Sequence, residues 1–204
     1  MVKSAKARSA GKAPAKKPAP KKSARPDPRQ SLLDAGMRLL AGGMPSSRLN
    51  VRDIAAEAGL RPAQFNKAFP DFSDYMAGIL RRLSEEVRAE TLQAIGRKPP
   101  GRDLIRLGIT AYLDAILHRP ALPEITLAMR SHPTCQQVTR ERMSSMVMLA
   151  TLQLKMAGVP NSDGLGRLGM AMLFEIAHAE FEARRALPDY RQTLDGYFVS
   201  ERAS

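Results

Sequence analysis

The sequence of 204 residues is poor in cysteine and in long hydrophobic runs. Its single cysteine, Cys135, cannot form an intramolecular disulfide, which is compatible with a reducing compartment. No stretch approaches the roughly 20 apolar residues of a transmembrane helix, and no apolar segment near the amino end resembles a secretory signal. We therefore expect a cytoplasmic protein. A hydrophobic content of 44% is enough for one or two compact cores.

Acidic residues are scarce at the amino end of the chain. Residues 1–30 contain ten basic side chains and one acidic side chain, Asp27, and so carry +9 of the net charge of +12. Residues 1–26 are rich in lysine, alanine and proline, which predicts a disordered basic tail. Such a polycation would add sequence-independent, salt-dependent affinity for DNA phosphates. The alternative is an extension that only improves solubility.

A short helix with both ends marked is predicted directly after Asn50. The side-chain oxygen of Asn50 can cap the helix, and the Asp53 carboxylate can accept a hydrogen bond from the backbone N–H of Asn50. The negative charge of Asp53 also lies near the positive end of the helix dipole, where it is stabilising. Apolar residues then recur at helical spacing as far as Gly59, where a left-handed residue can end a helix. Residues 50–59 therefore predict a short helix followed by a tight turn.

A second short helix is predicted after this turn. Pro62 lies at the first position of this helix, which tolerates proline. Phe65 and Phe69 are four residues apart, so both can pack against the preceding helix. Two such helices are typical of a helix-turn-helix, which places its second helix in the major groove of DNA. The side chains left on the outward face are Arg61, Ala63, Gln64, Asn66 and Lys67.

Helical patterns account for the rest of the chain, and no alternating β-like segment stands out. Asp27 and Pro28 predict the start of a helix that ends at Gly42-Gly43, and Asp71 predicts the start of a long helix toward Ile95. We therefore expect an all-α protein. Further helices are predicted at about 103–116, 123–131, 135–157 and 163–186, and from 189 onward.

Over about residues 28–82 the sequence resembles the TetR/AcrR family of bacterial transcriptional regulators. The resemblance rests on DIAAEAG followed, at the spacing of the family, by Phe69-Pro70. It implies a helix-turn-helix DNA-binding domain at 27–74 and a larger helical effector-binding and dimerisation domain at 75–204, with the tail 1–26 in front. The sequence departs from the family pattern at several positions of the motif: Arg61, Asn66, Ala68 and Phe72.

The resemblance and the outward face predict a homodimeric repressor that reads a palindromic operator, with half-sites roughly 34 to 36 Å apart. Gln64 and Asn66 are candidates for base edges, because amides can bond an adenine edge bidentately. Lys67 and Arg61 are candidates for phosphate or guanine. Two arginines outside this helix are predicted to contact phosphates and set the register: Arg29 and Arg52. For each residue the alternative is a solvated surface charge.

The resemblance also implies that the last two long helices pair across a two-fold axis. The residues predicted for this dimer interface are apolar or small: Leu165, Gly169, Met172, Leu173 and Ile176. A small apolar or amphipathic effector is expected in the same domain, where flexible methionines would suit its pocket. The predicted pocket residues are Met129, Met143, Met146, Met172 and His178. Ordinary core packing is the alternative for both sets.

Other functions compete with a repressor. Glu175 and His178 are spaced like half of a di-iron helical motif, but the second copy is missing, so a metalloprotein is disfavoured and no cofactor is expected. Neither a nucleophile with its base nor a phosphate-binding loop is recognisable, so we expect no enzyme. An architectural DNA-binding protein dominated by its tail remains an alternative, as does a regulator without effector control.

Overall fold

The computed structural model describes residues 27–199, and this part of the chain is all-helical, as predicted. Its helices are α1 (Pro28–Ala41), α2 (Val51–Glu57), α3 (Pro62–Ala68), α4 (Phe72–Ile95), α5 (Arg102–Leu117), α6 (Ala121–Ala128), α7 (Pro133–Met156), α8 (Ser162–Ala183) and α9 (Pro188–Val199), with a 3₁₀ turn at Ser46–Arg48. The predicted disordered tail, residues 1–26, lies outside the described residues. None of the helices within 27–199 has both the length and the hydrophobicity that a bilayer span requires.

Helices α1, α2 and α3 pack against one another, and α1 and the aromatic rings of α3 and its carboxyl end contact the first turns of α4. The centre of this head is apolar and closed to solvent, with Leu32, Phe65, Phe69 and Tyr75 almost completely buried. Close approach of α1 to α4 requires Gly36, since a Cβ there would lie 1.9 Å from the Tyr75 hydroxyl oxygen. That hydroxyl donates to the Leu32 carbonyl oxygen at 3.1 Å, which ties the two helices together.

Helix α4 connects the head to the remaining helices. It packs against α1 and also against α5, α6 and α7. Its buried side chains form a helical stripe that runs from Tyr75 to Val87. One continuous helix therefore contacts both the head and the body, which we define as α5 to α9.

The body is held together by apolar packing and by one buried ion-pair network. Glu180 of α8 is 1% exposed and accepts hydrogen bonds from Nε and Nη2 of Arg191 at 2.6 and 2.7 Å. Nη1 of Arg191 donates to Asp114 of α5 at 2.6 Å. Hydrogen bonds to Glu180 and Asp114 raise the pKa of Arg191. The network joins α5, α8 and α9 through one guanidinium.

Three helices differ from the sequence-based prediction by two or three residues at a boundary. Helix α6 spans Ala121–Ala128 rather than 123–131, because Pro123 fits in the first turn, where its missing N–H breaks no helical hydrogen bond. Helix α7 begins at Pro133 rather than at 135 for the same reason. Helix α8 ends three residues earlier than predicted, because Arg184 adopts the left-handed conformation with φ of 55°.

Candidate nucleic-acid interface and internal cavity

Helices α2 and α3 form the predicted helix-turn-helix geometry. The N–H of Asp53 donates to Asn50 Oδ1 at 3.0 Å, so Asn50 caps α2 as predicted. The Asp53 carboxylate accepts from the side-chain Nδ2 of Asn50 at 2.7 Å, whereas we expected the backbone N–H. Gly59 has φ of +66°, and the next N–H, that of Leu60, reaches the Ala55 carbonyl oxygen at 2.8 Å. This left-handed glycine turns the chain from α2 into α3.

Aromatic packing fixes the orientation of α3. The rings of Phe65 and Phe69 are 5.3 Å apart between centroids, and Tyr75 lies 5.0 Å from Phe65 and 5.1 Å from Phe69. Because this face of α3 is buried, the opposite face is turned to solvent. The exposed residues at the start and on the outer face of α3 are Arg61, Ala63, Asn66 and Lys67. The structure therefore places three of the predicted contact residues, Arg61, Asn66 and Lys67, at the start and on the outer face of one short helix.

Gln64 is less available to a base edge than the sequence suggested. Its side chain is half-buried, and its Oε1 accepts the backbone N–H of Arg61 at 3.0 Å. The backbone N–H of Gln64 donates to the Arg61 carbonyl oxygen at 2.8 Å. The Gln64 side chain therefore caps the amino end of α3, and the Arg61 side chain does not. To contact adenine bidentately, Gln64 Oε1 would have to release the Arg61 N–H.

The two predicted phosphate clamps lie in different settings. Nη1 of Arg29 donates to the Ala68 carbonyl oxygen at 2.6 Å, and its Cζ lies 4.2 Å from the centroid of the Phe69 ring. Arg29 therefore holds the carboxyl end of α3. The Arg52 side chain is exposed at the start of α2 and makes no hydrogen bond or ion pair with residues 27–199.

A cavity of about 570 Å³ lies between α4, α5, α7 and α8 and is partly open to solvent, because exposed residues such as Glu85, Arg88 and Met148 also line it. Its walls are mainly apolar and include Val87, Ile109, Met170 and Leu173, one residue from α4, one from α5 and two from α8. A cavity of this size and character is typical of a site for a small organic molecule.

Three polar side chains that line the cavity carry buried atoms without a hydrogen-bond partner among the described residues. These atoms are Tyr112 Oη, Arg142 Nε and Nη1, and Gln153 Oε1. Burial raises the pKa of the Tyr112 phenol, so its hydroxyl keeps its proton and can donate. The Arg142 guanidinium lies over the ring of Phe174, with its Cζ 5.7 Å from the centroid.

Sequence reasoning missed these three residues as site residues. Tyr112 has the spacing of an ordinary core residue in α5. Arg142 and Gln153 are polar residues on a long helix, where a solvated position is the usual outcome. Only the packing of α7 against α4 and α8 turns them inward, so no local signal in the sequence could have found them.

The residues predicted for the effector pocket are dispersed. Met146 lines the cavity, whereas Met143 lies in an open groove between α7 and α8. Met129 and Met172 are half-buried and pack against the core. His178 is half-buried on α8, with its Nε2 3.4 Å from Glu182 Oε1. Core packing accounts for the positions of Met129 and Met172, the alternative given for this set.

The residues predicted for the dimer interface fall into two groups. Three are buried inside the chain itself: Gly169, Leu173 and Ile176. Leu165 and Met172 are half-buried at one edge of α8, and Leu168 on the same edge is 59% exposed. The apolar surface of α8 that stays partly exposed is therefore this edge, displaced from the centre of the predicted stripe.

The structure gathers no third ligand around the pair Glu175 and His178 among the residues it describes. Within 27–199, no three His, Cys, Asp or Glu side chains lie close enough to share a metal ion. Cys135 is buried, with its Sγ 3.8 Å from the Ser73 carbonyl oxygen. Glu175 is exposed on α8.

Solved transcriptional regulators share this fold, although the sequence matches no family model. A transcriptional regulator from Rhodococcus sp. Rha1 is similar with a TM-score of 0.67 and 16% identity, over 83% of this chain and 93% of its own. A TetR family transcription regulator from Marinobacter aquaeolei VT8 has a TM-score of 0.54 and 19% identity, over 84% and 93%. The multidrug binding protein EbrR, complexed with imidazole, has a TM-score of 0.63 and 18% identity, over 85% and 96%. The chain therefore has the fold of TetR-family transcriptional regulators, and the predicted resemblance is confirmed at the level of the fold.

Proposed function

We propose that the protein is a sequence-specific DNA-binding transcriptional regulator, a homodimeric repressor that a small-molecule effector releases from DNA in the cytoplasm. The observation that carries this proposal is the setting of α3. Its inner face is held by Phe65, Phe69 and Tyr75, and its outer face presents Asn66 and Lys67 to solvent. A rigid helix with an exposed amide and ammonium group suits readout in a major groove.

Each proposed contact uses hydrogen-bonding groups of a side chain that are unpaired within the described residues. Asn66 would bond an adenine edge, and Lys67 and Arg61 would contact phosphate or guanine, because their side chains make no hydrogen bond or ion pair with the described residues. Arg52 would contact phosphate at the start of α2. Gln64 would act first as the cap of α3, leaving its amide N–H groups as donors to DNA.

Dimerisation would place two copies of α3 in successive major grooves on one face of the duplex. The edge of α8 with Leu165, Leu168 and Met172 offers an apolar surface for the two-fold contact, and α9 packs beside it. A palindrome with half-sites roughly 34 to 36 Å apart would match such a dimer.

Two connections would carry an effector signal from the cavity to the head. Val87 and Thr91 of α4 line the cavity, and Tyr75 of the same helix packs on α1. In addition, Glu124 of α6 accepts from the Ser46 hydroxyl at 2.9 Å, just before α2. An effector that favours a head spacing unfit for both grooves would lower DNA affinity. The name of one fold neighbour, the multidrug binding protein EbrR, supports a small-molecule role for this cavity.

The test is selection of genomic fragments by the full chain, followed by footprinting at moderate salt. We expect discrete protected palindromes. Asn66→Ala should cost about 1–3 kcal/mol of binding free energy and relax the preference at one base position. Lys67→Ala should weaken binding to all sequences alike. Lys98→Ala, in the loop after α4, removes the same charge and should leave binding unchanged. Uniform coverage of every fragment would overturn the proposal.

A second function, an architectural DNA-binding protein, is favoured by one observation, the +9 charge of residues 1–30. In that case the tail would dominate affinity and α3 would add little selectivity. Uniform footprints that vanish when residues 1–26 are deleted would support this function over the regulator.

A further inference from the structure

We propose that the cavity between α4, α5, α7 and α8 binds a small organic anion, an apolar molecule with a carboxylate, and that Arg142 and Tyr112 hold the carboxylate. The inference deepens the proposed function and rests on it in one respect, because this anion would be the effector.

Within residues 27–199, the Arg142 guanidinium lacks hydrogen-bond acceptors for two of its nitrogens. Its Nε and Nη1 are inaccessible to solvent and have no hydrogen-bond acceptor among the described residues. A guanidinium stays charged at any physiological pH, and burying two of its nitrogens without an acceptor is costly. The Phe174 ring beneath it attracts the charge but leaves these in-plane N–H groups without an acceptor. The site therefore lacks an acceptor with negative charge.

The carboxylates nearest to the cavity are engaged elsewhere. Glu141 lines the cavity but is exposed and accepts from Gln137 Nε2 at 2.9 Å. Glu85 also lines it and lies 3.4 Å from Arg88 Nη1. Neither forms an ion pair with Arg142 among the described residues. A partner for Arg142 would therefore come from a ligand.

Tyr112 provides a second donor next to the same ring. Its side chain is almost fully buried, its hydroxyl has no partner among the described residues, and its ring centroid lies 6.2 Å from that of Phe174. Burial keeps the phenol protonated, because it raises the pKa of Tyr112. A carboxylate oxygen can accept from this hydroxyl while the carboxylate accepts from the guanidinium of Arg142.

The remaining surface defines the rest of the ligand. Val87, Ile109 and Leu173 are apolar wall residues, so the body of the ligand is apolar. Gln153 Oε1 is a buried acceptor without a partner among residues 27–199, and it suits a hydroxyl or N–H group on that body. A cationic ligand would be repelled by Arg142, and a neutral one would leave its charge uncompensated.

Thermal stability of the full chain measures binding, because a ligand of the folded state raises the melting temperature. The probes are two carboxylates, decanoate and 2-naphthoate, each with its neutral alcohol, 1-decanol and 2-naphthalenemethanol, and the cation decylamine. We expect at least one carboxylate to bind roughly 10- to 100-fold more tightly than its alcohol.

Variants then assign the preference to its residues. Arg142→Gln should abolish the preference for the carboxylate while binding of the alcohol stays, and Tyr112→Phe should reduce the preference severalfold. Arg140→Gln is the matched control, because it removes the same charge from an exposed side chain of the same helix that does not line this cavity. Its preference should equal that of the wild type.

Several results would overturn the inference. These are no stabilisation by either carboxylate, an alcohol or amine that binds as tightly as the carboxylate, or an unchanged preference in Arg142→Gln. DNA binding by the same preparations separates this inference from the proposed function. Carboxylate binding without selective DNA binding would leave the anion site standing and remove the regulator, whereas selective DNA binding without a carboxylate preference would do the opposite.

Discussion

Gly36 sets the distance between α1 and α4, so alanine at this position should destabilise the head. A Cβ there would lie 1.9 Å from the Tyr75 hydroxyl oxygen and 2.9 Å from Ile79 Cδ1. Overpacking of this kind costs about 1–3 kcal/mol, and separating the hydroxyl from the Leu32 carbonyl leaves buried polar groups unpaired at a further cost of about 1–3 kcal/mol. The better helix propensity of alanine returns about 1 kcal/mol. We expect Gly36→Ala to lower the free energy of unfolding by about 1–5 kcal/mol.

Urea unfolding followed by circular dichroism measures this change. Gly196→Ala is the matched control, because Gly196 is an exposed helical residue of α9 and a Cβ there meets nothing within 4 Å. It should raise the free energy of unfolding by about 0.5–1 kcal/mol. Tyr75→Phe removes the hydroxyl oxygen that the new methyl group of Gly36→Ala would contact. The free energy of unfolding of the double variant should therefore be about 1–2 kcal/mol higher than the sum of the two single effects predicts.

Two results would refute this reasoning. If Gly36→Ala were as stable as the wild type, α1 would not approach Tyr75 as closely as described. If the two changes were additive, the hydroxyl would not be the group that the new methyl meets.

Three further predictions concern the body, the tail and the cysteine. Arg191→Met leaves the buried Glu180 carboxylate without its ion-pair partner and should lower the free energy of unfolding in urea by about 3–5 kcal/mol. Adding Glu180→Leu should recover most of this loss. If stability did not recover, the loss would not come from the unpaired charge. Deletion of residues 1–26 should flatten the dependence of DNA affinity on salt while the footprint stays, and loss of the footprint would show that the tail is needed for selectivity. Cys135 is 2% exposed and burial raises the pKa of its thiol, so less thiolate forms at a given pH and alkylation by iodoacetamide should be slow in the native protein and fast in urea. Rapid alkylation of the native protein would refute that burial.

Several features with local causes were predicted correctly from the sequence. Asn50 caps α2 through an N–H three residues away, and Gly59 turns the chain because only glycine adopts a positive φ without strain. The spacing of Phe65 and Phe69 likewise places both rings on one side of a helix. Such determinants lie within a few residues of each other, so they can be recognised without knowing the fold.

The sequence by itself determined that the described chain is helical, about where α1, α2 and α3 begin and end, and which face of α3 is buried. Tertiary structure alone decided the rest, because the deciding contacts join residues far apart in the chain. Arg29 holds the end of α3 across 39 positions, a Cβ at Gly169 would strike the ring of Phe198, and Arg142 is turned into a cavity by helices that come both before and after it. Helical periodicity shows which side chains share one face of a helix. Whether that face is buried depends on which other helices pack against it, and the tertiary structure decides this.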